Sequence, residues 1–316
     1  MADSLPQPIR LGVSACLAGE RVRYDGREKE DTWVTGTLAR HFALVPVCPE
    51  VGIGLGVPRP PLRLEGSPAM PRAVGVTERQ LDVTAPLRRF GREAARELHT
   101  VSGFILKSRS PSCGMGSVPI HGPRTVRHGN GLFARELLAA QPLLPVVEEG
   151  DLAEAAGRDH FLERVFAYRR WQELEAQGIT AHRLLQFHAR HKLQLMAHSP
   201  THYRLLGRLL GDARRRKPTA LAGDYARGFA AALALCATPR KHANVLQHLM
   251  GYLKTQLDGG DKAELLEAID GCRLGQLPLL VPLTLLRHHF RRHPHEYVAG
   301  QLYLYPPEEE MTARFT

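Results

Sequence analysis

The sequence predicts a three-layer α/β domain with a mostly parallel sheet, followed by an all-α domain. Two observations support this prediction. Up to about residue 150, short apolar runs of strand length alternate with amphipathic helical patterns, as in chains that fold into parallel sheets. From Asp151 onward the patterns are long and helical, with almost no strand signal. We therefore expect two domains, residues 1–152 and residues 153–316.

The first domain contains four predicted strands, at 9–14, 44–48, 103–106 and 143–148. Helical patterns cover 33–41, 85–100 and 131–140. Segment 49–66 is so rich in glycine and proline that it predicts a long irregular loop, a kind of loop that is often functional. Short runs at 73–76 and 81–83 predict a hairpin between this loop and the next helix.

The second domain reads as a series of amphipathic helices, with Thr180 as the N-cap of the second. The predicted helices are 159–177, 180–196, 200–210, 220–236, 242–256, 262–272 and 282–292. Residues 297–307 predict an irregular tail. This half of the chain is therefore expected to be an all-α bundle.

Composition narrows the class of protein. The chain has 316 residues, 43% of them hydrophobic, which is enough for two cores. No run of about 18 apolar residues is present, and the N-terminus lacks the features of a signal peptide, so we expect a cytoplasmic protein without a membrane partner. Five cysteines, an odd number, argue against a disulfide framework in that compartment. The sequence gives no sign of an obligate protein partner.

The positive charge is concentrated in the helical half. The chain carries a formal net charge of +10. Residues 164–254 hold 16 Lys and Arg against 4 Asp and Glu, a local balance of +12, so the rest of the chain nets −2. Such a concentration is typical of proteins that bind a polyanion such as nucleic acid. The alternative is an ordinary solvated helical surface.

Three cysteines follow predicted strands. Cys16, Cys48 and Cys113 each stand where an apolar run ends. Since the carboxyl ends of parallel strands meet at one edge of a sheet, these thiols are expected to converge. They could be small buried hydrophobic residues, or soft ligands of zinc or an iron–sulfur cluster. Three thiolates on a four-iron cluster would leave one iron without a protein ligand.

The segments around these cysteines resemble a known family. SACLAGERVRYDG, VCPEVGIGLGVPRPPLRL and KSRSPSCGMG are similar to signature segments of the thiouracil desulfidases. The resemblance implies an α/β domain that holds a 4Fe-4S cluster on Cys16, Cys48 and Cys113, with one open iron that binds the sulfur of a thiolated pyrimidine. It also implies that Glu50 and Ser110 are catalytic.

The helical half resembles a domain that is found fused to this one, most clearly in FHARHKLQLMAHSPTHYRLLGRL. The two-domain arrangement is similar to that of tRNA 4-thiouridine desulfidases. It implies that the partner is tRNA carrying 4-thiouridine and that the products are uridine and sulfide. Two alternatives stay open: desulfuration of free thiopyrimidines, and a noncatalytic iron–sulfur sensor that binds nucleic acid. A sensor would need the cysteines but neither Glu50 nor Ser110.

The implied chemistry is a hydrolysis without net electron transfer. Replacing C=S by C=O requires a thiophilic acid to take sulfur, a base to activate water and a donor near the leaving group. The open iron would meet the first need. Glu50 would serve as the base, and Ser110 would donate to the pyrimidine or its sulfur.

Further residues are candidates for contact with substrate or RNA. In the first domain they could grip phosphate or a base edge: Arg23, Tyr24, Arg59, Lys107 and Arg109. The arginines among them could instead be ordinary salt-bridge partners. In the second they would form an RNA-facing surface: His188, Arg190, Lys192, Arg214, Arg215, Arg216 and Lys217.

Other residues of the helical half have a less specific pattern. The pairs His188/His191 and His198/His202 have helical spacing, but no cysteine or acid nearby completes a zinc site. Trp171 could stack on a base or lie in the core. Cys236 and Cys272 fit no ligand motif and are expected to be structural.

Overall fold

A computed structural model describes residues 8–315, and the backbone alone at Arg214. It has eight strands in the described part of the chain: β1 (Arg10–Ser14), β2 (Ala43–Val47), β3 (Leu62–Ser67), β4 (Met70–Gly75), β5 (Val101–Leu106), β6 (Val118–His121), β7 (Val126–Gly129) and β8 (Val146–Glu148). The chain divides into two compact units. Unit 1 comprises Met1–Arg169 with Thr312–Thr316, and unit 2 comprises Arg170–Met311. The border therefore lies later than residue 152.

The main sheet of unit 1 is parallel throughout, in the order β2-β1-β5-β8. All six residues of β5 are buried, and so are the last four of β1, as expected for inner strands that have layers on both faces. The predicted α/β class is confirmed. Because neighbouring parallel strands point the same way, the loops that follow β1, β2 and β5 leave from one edge.

The first helices of unit 1 are short. A π-helical turn, Trp33–Leu38, runs into α1 (Ala39–His41), and α2 (Pro49–Gly52) follows β2 directly. The longer helices are α3 (Thr84–Glu97) and α4 (Leu132–Ala140). Leu87 and Ala94 of α3 are buried, which agrees with the apolar stripe expected from the sequence.

A second sheet, in the order β4-β3-β6-β7, corrects the expectation for segment 49–66. That segment is not one irregular loop, because it contains α2 and the start of β3. The predicted hairpin is confirmed in part: an isolated antiparallel bridge joins Val74 to Asp82, and the Val83 amide donates to the Ala73 carbonyl at 3.0 Å. The full ladder of β4, however, is its antiparallel pairing with β3. A small core under this sheet contains Leu64, Ile120 and Leu132, which explains its apolar face.

A run of helices confirms the all-α character of the second half. They are α5 (Ala155–Ala176), α6 (Ala181–His198), α7 (Pro200–Gly211), α8 (Pro218–Ala234), α9 (Pro239–Gly251), α10 (Gly259–Arg273), α11 (Leu280–Arg292), α12 (Glu296–Ala299) and α13 (Glu308–Phe315). The Thr180 side chain accepts from the Arg183 amide at 3.2 Å, so the predicted cap is confirmed. The expected irregular tail instead contains α12. Within residues 8–315, no helix is long and apolar enough to cross a membrane.

Candidate functional site

A cavity of about 390 Å³ lies at the carboxyl edge of the main sheet in unit 1. Cys16, two residues after β1, and Cys48, one residue after β2, both line it. Cys113, in the loop that follows β5, lines it as well. The structure thus brings together three thiols that are up to 97 residues apart in the sequence.

Burial disfavours the charged form of these thiols. It raises the pKa of Cys16 to about 11, and the neighbouring Cys48 adds to the increase. Burial likewise raises the pKa of Cys48 and of Cys113. Protein groups alone would therefore leave the thiols protonated at neutral pH. A bound metal centre reverses this balance, because it supplies positive charge directly to the sulfur.

The cavity offers the donor atoms of a soft metal centre. Among residues 8–315, no three His, Cys, Asp or Glu side chains are grouped in a way that could hold a metal ion. The three thiols nevertheless line one cavity, and no histidine lines it. An all-thiolate donor set around an open space suits an iron–sulfur cluster.

Glu50 lies in α2, two residues beyond Cys48, and its carboxylate is held from two sides. Arg59 donates from Nε to Oε2 at 2.7 Å, and Ser112 donates from Oγ to Oε1 at 2.9 Å. Glu50 is 9% exposed and lines the cavity. The carboxylate is therefore fixed in position beside the thiols.

Arg59 is engaged with the protein as well as lining the cavity. Its side chain is 5% exposed, and besides Glu50 it donates to the Val22 carbonyl at 2.8 Å. This pattern corresponds to the salt-bridge alternative considered for Arg59. Its contribution to the site is to orient Glu50.

Ser110 organises the turn that carries Cys113. Its Oγ accepts from the Cys113 amide at 3.1 Å and from the Ser112 amide at 3.3 Å. Among the described residues, no acceptor is recorded for the Ser110 hydroxyl proton. Since Ser110 also lines the cavity, that proton is available to a ligand.

Backbone geometry keeps this turn tight. Arg109 has a φ of +58°, in the left-handed region that side chains other than glycine seldom adopt. Gly131 lies so close to the turn that a Cβ there would meet the Ser112 carbonyl oxygen at 2.5 Å. The Gly131 amide donates to the Gly114 carbonyl at 2.7 Å. The turn is therefore fixed by close packing and backbone hydrogen bonds together.

Two acids at the end of β8 also hold the turn, and sequence reasoning missed them. Glu149 accepts from the Ser108 amide at 2.6 Å and from the Lys107 ammonium. Burial alone would raise the pKa of Glu149, but the hydrogen bonds from Lys107 and Ser108 outweigh it and lower the pKa. Glu148 accepts from the Met115 amide at 2.6 Å. The available signal was a pair of acids directly after a buried strand.

The remaining candidates of unit 1 all line the cavity. Arg23 lies over the Tyr24 ring, 5.8 Å from its centroid, and Tyr24 is 43% exposed. Arg109 is exposed, whereas Lys107 is tied to Glu149. Arg23, Tyr24 and Arg109 are thus the side chains best placed to meet a ligand that enters from solvent.

The candidates of unit 2 are spread over several surfaces. Lys192 lies in one groove, and Arg190 lies in another together with Arg170 and Arg183. Arg215 and Lys217 are exposed, while Arg216 pairs with Asp224 at 2.8 Å. The side chain of Arg214 lies outside the described part of the chain. The structure gathers these side chains into no single pocket among the residues it describes.

His188 and His191 of α6 are buried, and one of them, His188, was expected on an RNA-facing surface. His188 is 9% exposed, its Nδ1 lies 3.1 Å from the Tyr225 hydroxyl, and burial lowers its pKa to about 4. His191 donates from Nδ1 to the Phe187 carbonyl at 2.7 Å and accepts at Nε2 from Arg170, so it is a neutral imidazole. Burial also lowers the pKa of His191 well below its usual value.

The other unassigned residues are structural or exposed. His198 has its Nδ1 2.6 Å from the Leu235 carbonyl, and Trp171 is 2% exposed in an aromatic cluster. Trp171 is therefore a core residue and not a stacking platform. Cys272 is buried in the core of unit 2, and Cys236 is exposed.

Comparison with known proteins finds a family match for each half of the chain. Residues 11–149 match the model of the 2-thiouracil desulfurase family, and residues 192–307 match DUF1722, a family of unknown function. The uncharacterized protein YbgA of Escherichia coli is 34% identical over 146 residues, which cover 46% of this chain and 86% of YbgA. A solved structure of the [4Fe-4S]-dependent thiouracil desulfidase TudS is 33% identical, covers 46% of this chain and 93% of that one, and gives a TM-score of 0.37. The chain combines a thiouracil desulfurase domain with a DUF1722 domain, and the first of these marks the chain as a desulfidase enzyme. The chain thus belongs to the family that includes YbgA.

Proposed function

We propose that the chain removes sulfur from thiolated pyrimidines by hydrolysis, converting C=S to C=O and releasing sulfide. The observation that carries this proposal is the cavity lined at once by three thiols, a fixed carboxylate and a serine hydroxyl. Each is a group that the reaction needs. Water supplies the oxygen and two protons, and sulfur leaves as sulfide, so no external oxidant or reductant is required.

Cys16, Cys48 and Cys113 would hold a 4Fe-4S cluster, with one iron free of protein ligands. Such a group supplies a thiophilic Lewis acid that polarises the C=S bond. The all-thiolate donor set of the cavity supports this assignment.

Glu50 is the group that activates water. The hydrogen bonds from Arg59 and Ser112 set the direction of its carboxylate, so its remaining lone pairs can accept a proton from water in the cavity. The oxygen of that water attacks the thiocarbonyl carbon while its proton passes to Glu50. Holding the base in place lowers the entropic cost of the attack.

Ser110 serves as the donor. Its Oγ already accepts two backbone N–H groups, an arrangement that directs the hydroxyl proton away from the turn. That proton can be donated to the ring nitrogen or to the sulfur, where negative charge develops as the C=S bond breaks.

The test is turnover by the full chain. Protein reconstituted anaerobically with iron and sulfide is incubated with 2-thiouracil and 4-thiouridine, and the products are separated and quantified together with sulfide. The proposal predicts uracil or uridine and sulfide in equal amounts. A fully loaded cluster without turnover of any thiopyrimidine would contradict it and favour the sensor alternative.

We further propose that the natural substrate is 4-thiouridine within tRNA and that the helical half holds the RNA. The basic balance of +12 in residues 164–254 supports this. So do the exposed cations Arg190, Arg215 and Lys217, for which no ion pair is recorded among the described residues. Phosphate contacts of this kind supply most of the sequence-independent affinity for RNA.

This finer proposal is tested by nucleoside analysis of thiolated tRNA after incubation, and by binding at several salt concentrations. Neutralising Arg215 and Lys217 together should lower the slope of log affinity against log salt by about 1.4 to 1.8. Neutralising Arg291 and Arg292, two exposed arginines outside the basic window, is the matched control. If free thiopyrimidines turn over and tRNA does not, the free-base alternative is correct.

A further inference from the structure

A groove of about 730 Å³ lies along α6 and α7 in unit 2. We call it the α6–α7 groove. Its lining residues are Leu185, His188, Ala189, Lys192, Tyr203, Arg204, Gly207, Arg208 and Tyr297. Three of them are cations and none is an acid, so the groove favours an anionic ligand.

Aromatic rings form part of its wall. The Lys192 ammonium lies 5.8 Å from the centroid of the Tyr203 ring and 5.7 Å from that of Tyr297. The Tyr203 ring is parallel to the His188 ring, with centroids 6.1 Å apart and an interplanar angle of 1°. A flat aromatic ligand finds partners for stacking and for cation–π contact here.

In the described part of the chain, the cations of the groove are not neutralised by ion pairs. Arg204 and Arg208 are four residues apart on α7, so their side chains share one face. Within the described part of the chain, no ion pair is recorded for Lys192, Arg204 or Arg208. A phosphate placed over this face of α7 could therefore be held by two guanidinium groups.

Two further features indicate that the groove is built for a ligand. The Tyr297 hydroxyl is buried and has no hydrogen-bond partner among the described residues, an arrangement that costs stability unless something completes it. Gly207 lies within α7, where glycine is less stable than alanine, and a Cβ there would meet nothing within 4 Å. No steric conflict within the protein requires this glycine, whereas a Cβ would take up space in the groove.

We propose that the α6–α7 groove binds one unpaired nucleotide of an RNA strand, with the base against Tyr203 and Tyr297 and the phosphate on Arg204 and Arg208. The Tyr297 hydroxyl donates to an acceptor on the nucleotide. This inference rests on the proposed RNA substrate. A strand is the favoured source of the nucleotide because the exposed cations Arg215 and Lys217 follow α7 closely in the chain, and a phosphate backbone needs cations beyond those that hold one nucleotide.

The main test measures binding of the full chain to a fluorescein-labelled single-stranded RNA of mixed sequence, by anisotropy at several salt concentrations. The double change Arg204→Gln with Arg208→Gln removes the contact to one phosphate and should lower the salt slope by about 0.7. Arg291→Gln with Arg292→Gln is the charge-matched control and should leave the slope unchanged. Equal effects of the two pairs would overturn the inference, because binding would then follow net charge alone.

Two conservative changes separate ligand binding from folding. Gly207→Ala should keep or raise the melting temperature yet weaken RNA binding several-fold, whereas Gly211→Ala, outside the groove on the same helix, should not weaken it. Tyr297→Phe should weaken binding about two- to tenfold without lowering stability. Unchanged RNA affinity in both Gly207→Ala and Tyr297→Phe would exclude the groove as the site.

A competitor identifies the source of the nucleotide. Uridine monophosphate should displace the labelled RNA only at concentrations far above the dissociation constant of the RNA. Displacement at comparable concentrations would make the groove a site for free nucleotides and contradict the assignment to a strand. Since binding is measured without turnover, failure here leaves desulfuration of free thiopyrimidines standing, and failure of desulfuration leaves this measurement interpretable.

Discussion

The two units differ in where they place their chemically reactive side chains. In unit 1, thiols, a carboxylate and a hydroxyl from separate loops line one cavity. In unit 2, the histidines that stand out in the sequence are largely buried: His188, His191 and His198 all bond to neighbours within the unit. Four candidate cations of unit 2 remain exposed: Arg190, Arg215, Arg216 and Lys217.

The difference follows from the geometry of the elements. A parallel sheet sends the ends of neighbouring strands to one edge, so residues that follow strands meet even when they are distant in sequence. A helix repeats its faces every 3.6 residues. When histidines lie on two of these faces, the period alone does not show which face packs against the core. Strand ends therefore indicate a site more reliably than helical spacing does.

The largest expected effect is on the cluster. Replacing Cys16, Cys48 or Cys113 singly by alanine removes one of three ligands, so each variant should lose the cluster and all activity. Iron and sulfide content and the visible absorbance after anaerobic reconstitution measure this. Cys236→Ala is the matched control, since Cys236 is an exposed cysteine of the helical half that does not line the cavity, and it should retain the full cluster. A complete cluster in any of the first three variants would refute the ligand assignment.

The second effect is on the rate alone. Glu50→Gln keeps the shape of the side chain but removes the base, so turnover should fall by about 10² to 10⁴ while iron content stays unchanged. Steady-state desulfuration and iron analysis check the two halves of this expectation. Because Arg59 then loses its charged partner, stability should be measured in parallel. Glu78→Gln, on an exposed carboxylate, is the control, and a near wild-type rate in Glu50→Gln would exclude Glu50 as the base.

These two effects concern residues that the sequence could identify, and there is a physical reason for that. The apolar runs that end at Ser14, Val47 and Leu106 have the length of strands, and their alternation with helices implies parallel pairing. The meeting of the three cysteines follows from that pairing. The resemblance of the loops then suggests roles for Glu50 and Ser110.

Other parts of the fold depend on tertiary context. The sequence did not indicate the strand β3, because its segment begins with glycines and prolines. The pairing of β3 with β4 and β6 depends on a core formed by residues that are distant in the sequence. The support that Ser112 gives to Glu50 joins residues 62 positions apart in different loops. No local pattern encodes such a contact.

The third effect tests that support. Ser112→Ala removes one of the two hydrogen bonds to Glu50, and the loss of a bond to a charged group is worth about 1.5 kcal/mol, or roughly a tenfold slower rate. We expect kcat to fall with little change in KM and none in iron content. A rate equal to wild type would show that Arg59 alone orients the carboxylate.

The last effect is on stability and not on catalysis, and it concerns the buried histidines of unit 2. Burial lowers the pKa of His188 to about 4 and that of His191 well below its usual value, so below about pH 6.5 the unfolded chain binds protons that the folded chain does not. Stability should therefore fall as the pH decreases from about 6.5 towards 4, by at most about 1.4 kcal/mol per pH unit for each histidine.

Denaturant titrations across this pH range measure the decline. His188→Asn should make it shallower, whereas the same change at the exposed His182 should not. Equal slopes in wild type and His188→Asn would show that His188 is not buried in its neutral form.

The central claim is that one cavity in unit 1 carries the chemistry. Anomalous diffraction at the iron absorption edge, from crystals of the anaerobically reconstituted chain, tests it most directly. The account predicts one compact iron peak within reach of the sulfurs of Cys16, Cys48 and Cys113, beside the Glu50 carboxylate. Iron bound anywhere else in the chain, with this cavity empty, would contradict it.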